Sequence, residues 1–153
     1  MDVSRRAALL TLAGALRADD GALSVANQLR ICLAGDPKTF DPLLVTDSPS
    51  EIYRYLTAGV LIRFHRAAQR LDPELAETWQ VLDGGRRITF HLRRGVSFSD
   101  GTPFSAEDVA ETVRRMMDPN LHSPTGDTFR SVSVRAEAAG PHEISLTFEQ
   151  PIA

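Results

Sequence analysis

The sequence has few of the residues that build covalent or metal-bound cross-links, with one cysteine and four histidines among 153 residues. A single cysteine, Cys32, excludes an intrachain disulfide and any site of several thiolates built from this chain alone. The histidines show no pair at helical spacing and no cysteine at ligand spacing. They are His65, His91, His122 and His142. We therefore expect neither a disulfide framework nor a metal site.

Long hydrophobic runs and a large net charge are also absent. No apolar run approaches the roughly 20 residues that a membrane-spanning helix needs. The chain has 17 basic and 20 acidic residues, a net charge of -3, and no basic stripe that would follow a phosphate backbone. Neither a transmembrane helix nor nucleic-acid binding is therefore expected. The hydrophobic share of 42% is typical of a folded globular domain.

The sequence contains no common catalytic motif, since it lacks a Gly-x-Ser-x-Gly elbow, a Walker loop and a dinucleotide-binding glycine fingerprint. The densest acidic cluster is Glu107, Asp108 and Glu111. These carboxylates fall at the start of a predicted helix, where they complement the helix dipole. A hydrolase or metalloenzyme, the rival interpretation, has no nucleophile–base pair or ligand set here. We therefore expect no enzyme, no catalytic residue and no cofactor.

The first 28 residues have the order of a targeting segment. The basic start Ser4-Arg5-Arg6 precedes an apolar run over residues 7–16, as in a twin-arginine-like or Sec export signal. A short amphipathic helix is the alternative. Residues 17–28 are small, polar and aperiodic, which is typical of a linker. The predicted organisation is a possible export signal at 1–16, a linker at 17–28 and a folded domain at 29–153.

The first part of the domain is predicted to contain a strand, a loop and a helix. Residues 29–34 are apolar and predict a strand that buries Cys32. Prolines keep residues 35–49 irregular. A helix then opens at Ser50 and Glu51, and its apolar residues recur at helical spacing, so this face is expected in the core. The residues of the face are Ile52, Tyr55, Leu56, Gly59 and Val60.

The second part is predicted to contain two hairpins around one helix. Strict alternation over residues 88–93, after a strand at 75–81, predicts a hairpin with Phe90 buried and His91 on the polar face. Ser105 and Asp108 have the spacing of a capping box that opens a helix over 106–117. A polar loop and a second hairpin over 132–134 and 144–148 follow. The chain ends directly after that strand, so we expect it to be part of a longer protein.

Two stretches carry a family resemblance. They read LAETW at 75–79 and ITFHLRRGVSFSDGTPFSAEDV at 88–109, and Thr39-Phe40-Asp41-Pro42 lies upstream. From about residue 35 to the end, the chain resembles the extracytoplasmic solute-binding proteins of family 5, which include oligopeptide-, dipeptide- and nickel-binding proteins. It departs from the family pattern at residues 58–60, which read Ala-Gly-Val where an acidic residue followed by Gly-Leu is frequent. It is also much shorter than the family members.

The resemblance implies an α/β, type II periplasmic-binding-protein fold that is incomplete here, with the first part of lobe I and the extra domain of the family. It implies the substrate-binding component of an ABC importer in the periplasm. The implied partners are a small-molecule or peptide ligand and permease subunits in the membrane. The alternative is a truncated, non-binding fragment that acts only as a scaffold. A peptide, a nickel chelate, a sugar and an opine all stay open as ligands.

The resemblance also implies a ligand-contact site. A loop shortly after the Asp-Pro pair contributes contacts to the ligand backbone in the family, and by position it corresponds to Thr46, Asp47 and Ser48. The carboxylate of Asp47 is suited to a ligand ammonium group. A capping or turn role before the helix at Ser50 is the alternative for the same residue.

The export signal predicts that residues 1–35 direct a fused reporter out of the cytoplasm. Replacing Arg5 and Arg6 together by Lys is expected to reduce export through a twin-arginine route, which a reporter active only outside the cytoplasm measures. A reporter that stays inside, with or without the substitutions, contradicts the signal interpretation.

Overall fold

The computed structural model describes residues 30–152, of which residues 34–152 belong to one structural unit. These residues contain three α-helices and six strands. In chain order they are α1 Ser48–Thr57, β1 Ile62–His65, β2 Arg70–Pro73, β3 Ala76–Leu82, β4 Arg87–Leu92, α2 Ala106–Met117, α3 Pro124–Ser131, β5 Arg135–Gly140 and β6 Glu143–Thr147. Within residues 30–152, no helix is long and apolar enough to cross a membrane.

Four of the strands form an antiparallel sheet in the order β3-β4-β6-β5. Phe90 in β4 lies opposite Trp79 on one side and Ile144 on the other. Side chains that lie opposite each other in neighbouring strands point to the same face, so this register gathers the apolar residues on one side. The hairpin predicted over residues 75–93 is therefore confirmed. Strands β1 and β2 form a separate two-stranded sheet.

Helix α2 covers the apolar face of the four-stranded sheet. It packs on β5 and β6, where Ala136 and Ala138 are small enough to let the helix approach closely. The side chains of Val109 and Val113 are buried against the sheet. The buried hydrophobic core consists of Ala76, Phe90, Leu92, Phe104, Ala106, Val109, Val113, Val134, Ile144 and Leu146.

The bounds of α2 follow from its end residues, as the sequence predicts. The carboxylate of Asp108 accepts hydrogen bonds from the backbone N (2.8 Å) and the hydroxyl (3.0 Å) of Ser105. At the other end, Pro119 cannot supply an amide to continue the helical hydrogen bonds, and the helix stops at Met117. The capping pattern and both bounds are confirmed.

A helix, α3, occupies residues that were predicted to form a loop. Ser123 caps it by accepting a hydrogen bond from the backbone N of Gly126 at 3.3 Å, and Pro124 stands in its first turn. Both features are helix-start signals that outweigh the loop-like composition. The helix lies so close to α2 that a Cβ at Gly126 would collide with the carbonyl oxygen of Met116.

The second hairpin is present, but its first strand is displaced from the prediction. Strand β5 spans Arg135–Gly140, whereas residues 132–134 were expected to be extended. Val132 ends α3 and Ser133 has a φ of 50°, so the backbone turns there before the strand begins. Val134 is buried in the core all the same.

The predicted first strand is wrong for the part that the structure describes. Residues 30–34 are not extended in a sheet, and Cys32 is exposed rather than buried. An apolar stretch indicates hydrophobicity, but it does not indicate a neighbouring strand that would meet its backbone hydrogen bonds. Leu29, the possible export signal and the linker lie outside the described residues.

The two faces of β4 predict opposite mutational effects. Phe90 is 5% exposed, so Phe90→Ala should lower the free energy of unfolding by about 3–5 kcal/mol through lost packing and a cavity. His91 lies on the other face, half-buried beside Glu143, and His91→Ala should change little. Urea unfolding of both variants measures the difference, and equal effects would contradict the assigned faces.

Candidate functional site

The residues implied by the resemblance lie at the start of α1. We call residues 39–47, which lead into this helix, the 39–47 loop. Thr46 and Ser48 are exposed, and Asp47 between them is half-buried. The structure thus presents two of the three side chains on the surface, next to the first turn of the helix.

Asp47 is the N-cap of α1. Its Oδ1 accepts a hydrogen bond from the backbone N of Ser50 at 3.1 Å, and its Oδ2 accepts one from the Ser50 hydroxyl at 2.8 Å. The hydrogen bond from the backbone of Ser50 is the main cause that lowers the pKa of Asp47. The carboxylate is therefore ionised at neutral pH and has the structural role that was the alternative in the sequence.

The Thr-Phe-Asp-Pro segment folds the loop on itself. The backbone N of Asp41 donates to the hydroxyl of Thr39 at 3.0 Å. The carboxylate of Asp41 accepts from the backbone N of Leu43 at 2.9 Å, and its carbonyl accepts from the backbone N of Leu44 at 3.1 Å. These local bonds form a tight turn that sets the direction of the chain before Thr46.

The apolar face of α1 is exposed, which corrects the prediction that it is core. Ile52, Tyr55 and Leu56 are 42%, 56% and 49% exposed, and the helix ends at Thr57, before Gly59 and Val60. Helical periodicity shows that a helix has one apolar face, but it does not show which element covers that face. No element within residues 30–152 buries it.

A cleft of about 610 Å³ lies between α1 and the β1–β2 hairpin. Its lining combines apolar side chains with charges of both signs, a composition suited to a ligand that has an apolar part and an ionised part. Ser48 belongs to the lining, so the cleft reaches the end of the 39–47 loop. The lining residues are Ser48, Glu51, Ile52, Tyr55, Leu56, Arg63, Phe64, His65, Arg66 and Asp72.

Arg63 and Glu74, an ion pair on the hairpin side of this cleft, also contact residues on the α1 side. Arg63 donates to the carboxylate of Glu74, and its guanidinium lies 4.3 Å from the centre of the Tyr55 ring in α1. Glu74 also accepts a hydrogen bond from the backbone N of Val60 at 3.1 Å. The hydrogen bond from Arg63 is the main cause that lowers the pKa of Glu74. These contacts hold α1 and the hairpin together.

The described part of the chain contains no cluster of side chains that could bind a metal ion. Within residues 30–152, no three His, Cys, Asp or Glu side chains are placed to hold a metal ion. His91 lies on the outer face of the sheet, where its Nδ1 is 3.2 Å from a carboxylate oxygen of Glu143. A pair of this kind is one ligand short of the usual minimum for a protein metal site.

Residues 70–153 match the model of the bacterial extracellular solute-binding proteins, family 5, in its middle region. The chain belongs to this family. The resemblance carried by the 75–79 and 88–109 motifs is therefore confirmed, since both lie inside the matched range. Members of family 5 are transport binding proteins.

Relatives named for different ligands are similar to this chain in sequence. The chain is 35% identical over 128 residues to the di/tripeptide-binding protein 1 of Pseudomonas aeruginosa, and the alignment covers 76% of the chain and 23% of the relative. It is 36% identical over 103 residues to a heme-binding protein A of Haemophilus influenzae, which covers 61% of the chain and 18% of the relative. The chain thus spans about a fifth of the length of these relatives.

The fold is likewise shared with solved structures. A periplasmic binding protein from A. tumefaciens R10 in complex with agropinic acid matches with a TM-score of 0.70 and 26% identity, over 76% of this chain and 23% of that one. The matching structures are type II periplasmic binding proteins. The predicted α/β fold class is therefore confirmed, and the chain represents part of that fold.

Two buried serines at this site were missed as structural anchors. The pattern at Ser50 and Glu51 predicts the helix start there, but α1 begins at Ser48, because Asp47 is its N-cap and Pro49 lies in its first turn. The composition around Ser123 predicts a loop, and no local pattern predicts the hydrogen bond that its hydroxyl donates to a distant backbone carbonyl. Its partner, Leu43, is 80 residues away in the sequence.

The cap at Asp47 predicts a specific pH dependence. Because the folded-state pKa is lowered, the cap stabilises the protein above the usual value of 3.8 and is lost as the pH falls through the folded value. The amide shift of Ser50, followed by NMR, should titrate below pH 3.8. Asp47→Asn keeps an acceptor but removes this titration.

Asp100→Asn is the matched control for this titration, because the pKa of Asp100 is also lowered, by hydrogen bonds from Thr102 in a different turn. It should leave the Ser50 titration unchanged. A Ser50 amide that titrates at or above pH 3.8 in the unsubstituted protein would contradict the cap.

Proposed function

We propose that this chain forms part of the ligand-enclosing wall of an ABC importer's substrate-binding component, which captures a small solute outside the cytoplasmic membrane and delivers it to the permease. The match of residues 70–153 to family 5 carries this proposal. A peptide or a similar small solute is the proposed ligand class, supported by the di/tripeptide-binding relative. The proposed location is extracytoplasmic.

In this proposal, Thr46, Asp47 and Ser48 contact the ligand. Thr46 and Ser48 are exposed, and Ser48 lines the cleft, so these residues are accessible to a molecule that occupies it. Asp47 is ionised, and each carboxylate oxygen has a further lone pair beyond its bond to Ser50. A ligand ammonium group can therefore approach Asp47 without displacing the cap.

The proposed mechanism is closure of two lobes around the ligand, a hinge motion common among periplasmic binding proteins. Small-ligand sites bury most of the ligand surface. The cleft in residues 48–72 is partly open to solvent, so in this proposal it supplies one wall of such a site. Hydrolysis of ATP would be the task of partner subunits.

The openness of the cleft also favours a second candidate. A single open wall leaves much of a bound ligand in water, so the chain by itself can be a non-binding scaffold. The two candidates predict different results when the rest of a solute-binding protein is added to the chain. The first predicts that the completed protein binds a ligand, and the second predicts that it does not.

A chimera distinguishes the two candidates. Residues 34–152 would replace the aligned segment of the Pseudomonas aeruginosa di/tripeptide-binding protein 1, and trialanine binding would be measured by isothermal titration calorimetry. We expect saturable binding by the chimera and no measurable binding by the 153-residue chain alone, because one wall cannot enclose the peptide.

A pair of threonine substitutions in the chimera tests the site. Thr46→Trp places a large side chain on the 39–47 loop and should weaken binding by about tenfold or more. Thr78→Trp places the same side chain on exposed β3 and should leave binding unchanged. A chimera that folds but does not bind would contradict the first candidate, and equal effects of the two substitutions would contradict the site.

A further inference from the structure

Two serines are the only residues with polar side chains that are completely buried within residues 30–152. Ser50 and Ser123 are each 0% exposed. A hydroxyl removed from water is unfavourable unless its hydrogen bonds are replaced. Both hydroxyls do find partners, and in both cases the partners include the 39–47 loop.

Ser50 joins the two ends of the loop. Its hydroxyl donates to Oδ2 of Asp47 at 2.8 Å and accepts from the backbone N of Thr39 at 3.2 Å. Thr39 is the first residue of the loop and Asp47 is the last. One buried side chain therefore closes the loop at its base, using the donor and an acceptor of the hydroxyl.

Ser123 fixes the middle of the same loop. Its hydroxyl donates to the carbonyl oxygen of Leu43 at 2.7 Å and accepts from the backbone N of Gly126 at 3.3 Å. The bond to Leu43 spans 80 residues of sequence. The loop is thus connected to α3, an element that the local sequence around the loop does not specify.

Helix α3 is in turn fixed to the core. The guanidinium of Arg130 donates to the carbonyl oxygens of Met116 (3.4 Å) and Met117 (3.2 Å) at the end of α2. Gly126 permits the close approach of the two helices. A continuous path of contacts therefore runs from the buried sheet through α2 and α3 to Leu43.

We propose that Ser50 and Ser123 are positioning residues that preorganise the 39–47 loop for ligand contact. The ligand part of this role rests on the proposed function of Thr46, Asp47 and Ser48. A loop that is already ordered loses less conformational entropy on binding, so preorganisation raises affinity without a new contact. Neither serine touches the ligand in this proposal, because both are buried.

Hydrogen exchange of the full chain tests the positioning without any ligand. In Ser123→Ala, the amide of Leu44, which donates to Asp41 inside the loop, should exchange roughly five- to tenfold faster, as expected for one lost hydrogen bond. In Ser50→Ala, the amide of Thr39 should lose its protection in the same way.

Ser145→Ala is the matched control. This substitution also removes a hydroxyl hydrogen bond, the one between Ser145 and Thr89, whose oxygens are 2.9 Å apart. That bond lies on the four-stranded sheet and does not involve the 39–47 loop. This variant should leave exchange at Leu44 unchanged. If Ser123→Ala only lowered the overall stability, exchange would also rise at Leu92, whose amide donates to the carbonyl oxygen of His142 outside the loop.

Ser123→Cys separates the hydrogen bond from packing, because a thiol fills the space but donates weakly. Leu44 should then exchange at a rate between those of the unsubstituted protein and Ser123→Ala. If Leu44 keeps its normal rate in Ser123→Ala, or if Cys restores the normal rate fully, the positioning role is wrong. Either result leaves the chimera titration, and hence the proposed function, to be judged separately.

Discussion

Covering the apolar face of the four-stranded sheet is the constraint on which the other parts depend. The sheet places Phe90 and Ile144 on one face, and α2 buries that face with Val109 and Val113. Burial of such side chains provides about 1.5–3 kcal/mol each, the largest favourable term in a core of this kind. The position of α2 then determines where α3 lies, and Ser123, the N-cap of α3, fixes the middle of the 39–47 loop through Leu43.

This dependence separates the 39–47 loop from the cleft beside it. The 39–47 loop is fixed by backbone and hydroxyl hydrogen bonds that are independent of the ligand. The cleft beside it is lined mainly by long side chains of α1 and the hairpin.

Local sequence signals predicted the elements whose causes are local. The pair Ser105 and Asp108 gave the start of α2, and alternation gave the faces of β4. Periodicity along α1 predicted an apolar face but not its exposure, since coverage depends on elements elsewhere. The composition of residues 121–131 concealed α3, although Ser123 and Pro124 carried its start signals. The bond from Ser123 to Leu43 is a tertiary contact that no local pattern encodes.

The most direct test of the account is a crystal structure of the chimera with bound trialanine. Peptide backbone atoms are expected within hydrogen-bond distance, about 2.7–3.2 Å, of Thr46, Asp47 or Ser48. The hydroxyls of Ser50 and Ser123 are also expected to keep their present partners. A peptide bound elsewhere, with the 39–47 loop far from it, would contradict the claim that this loop is part of the ligand site.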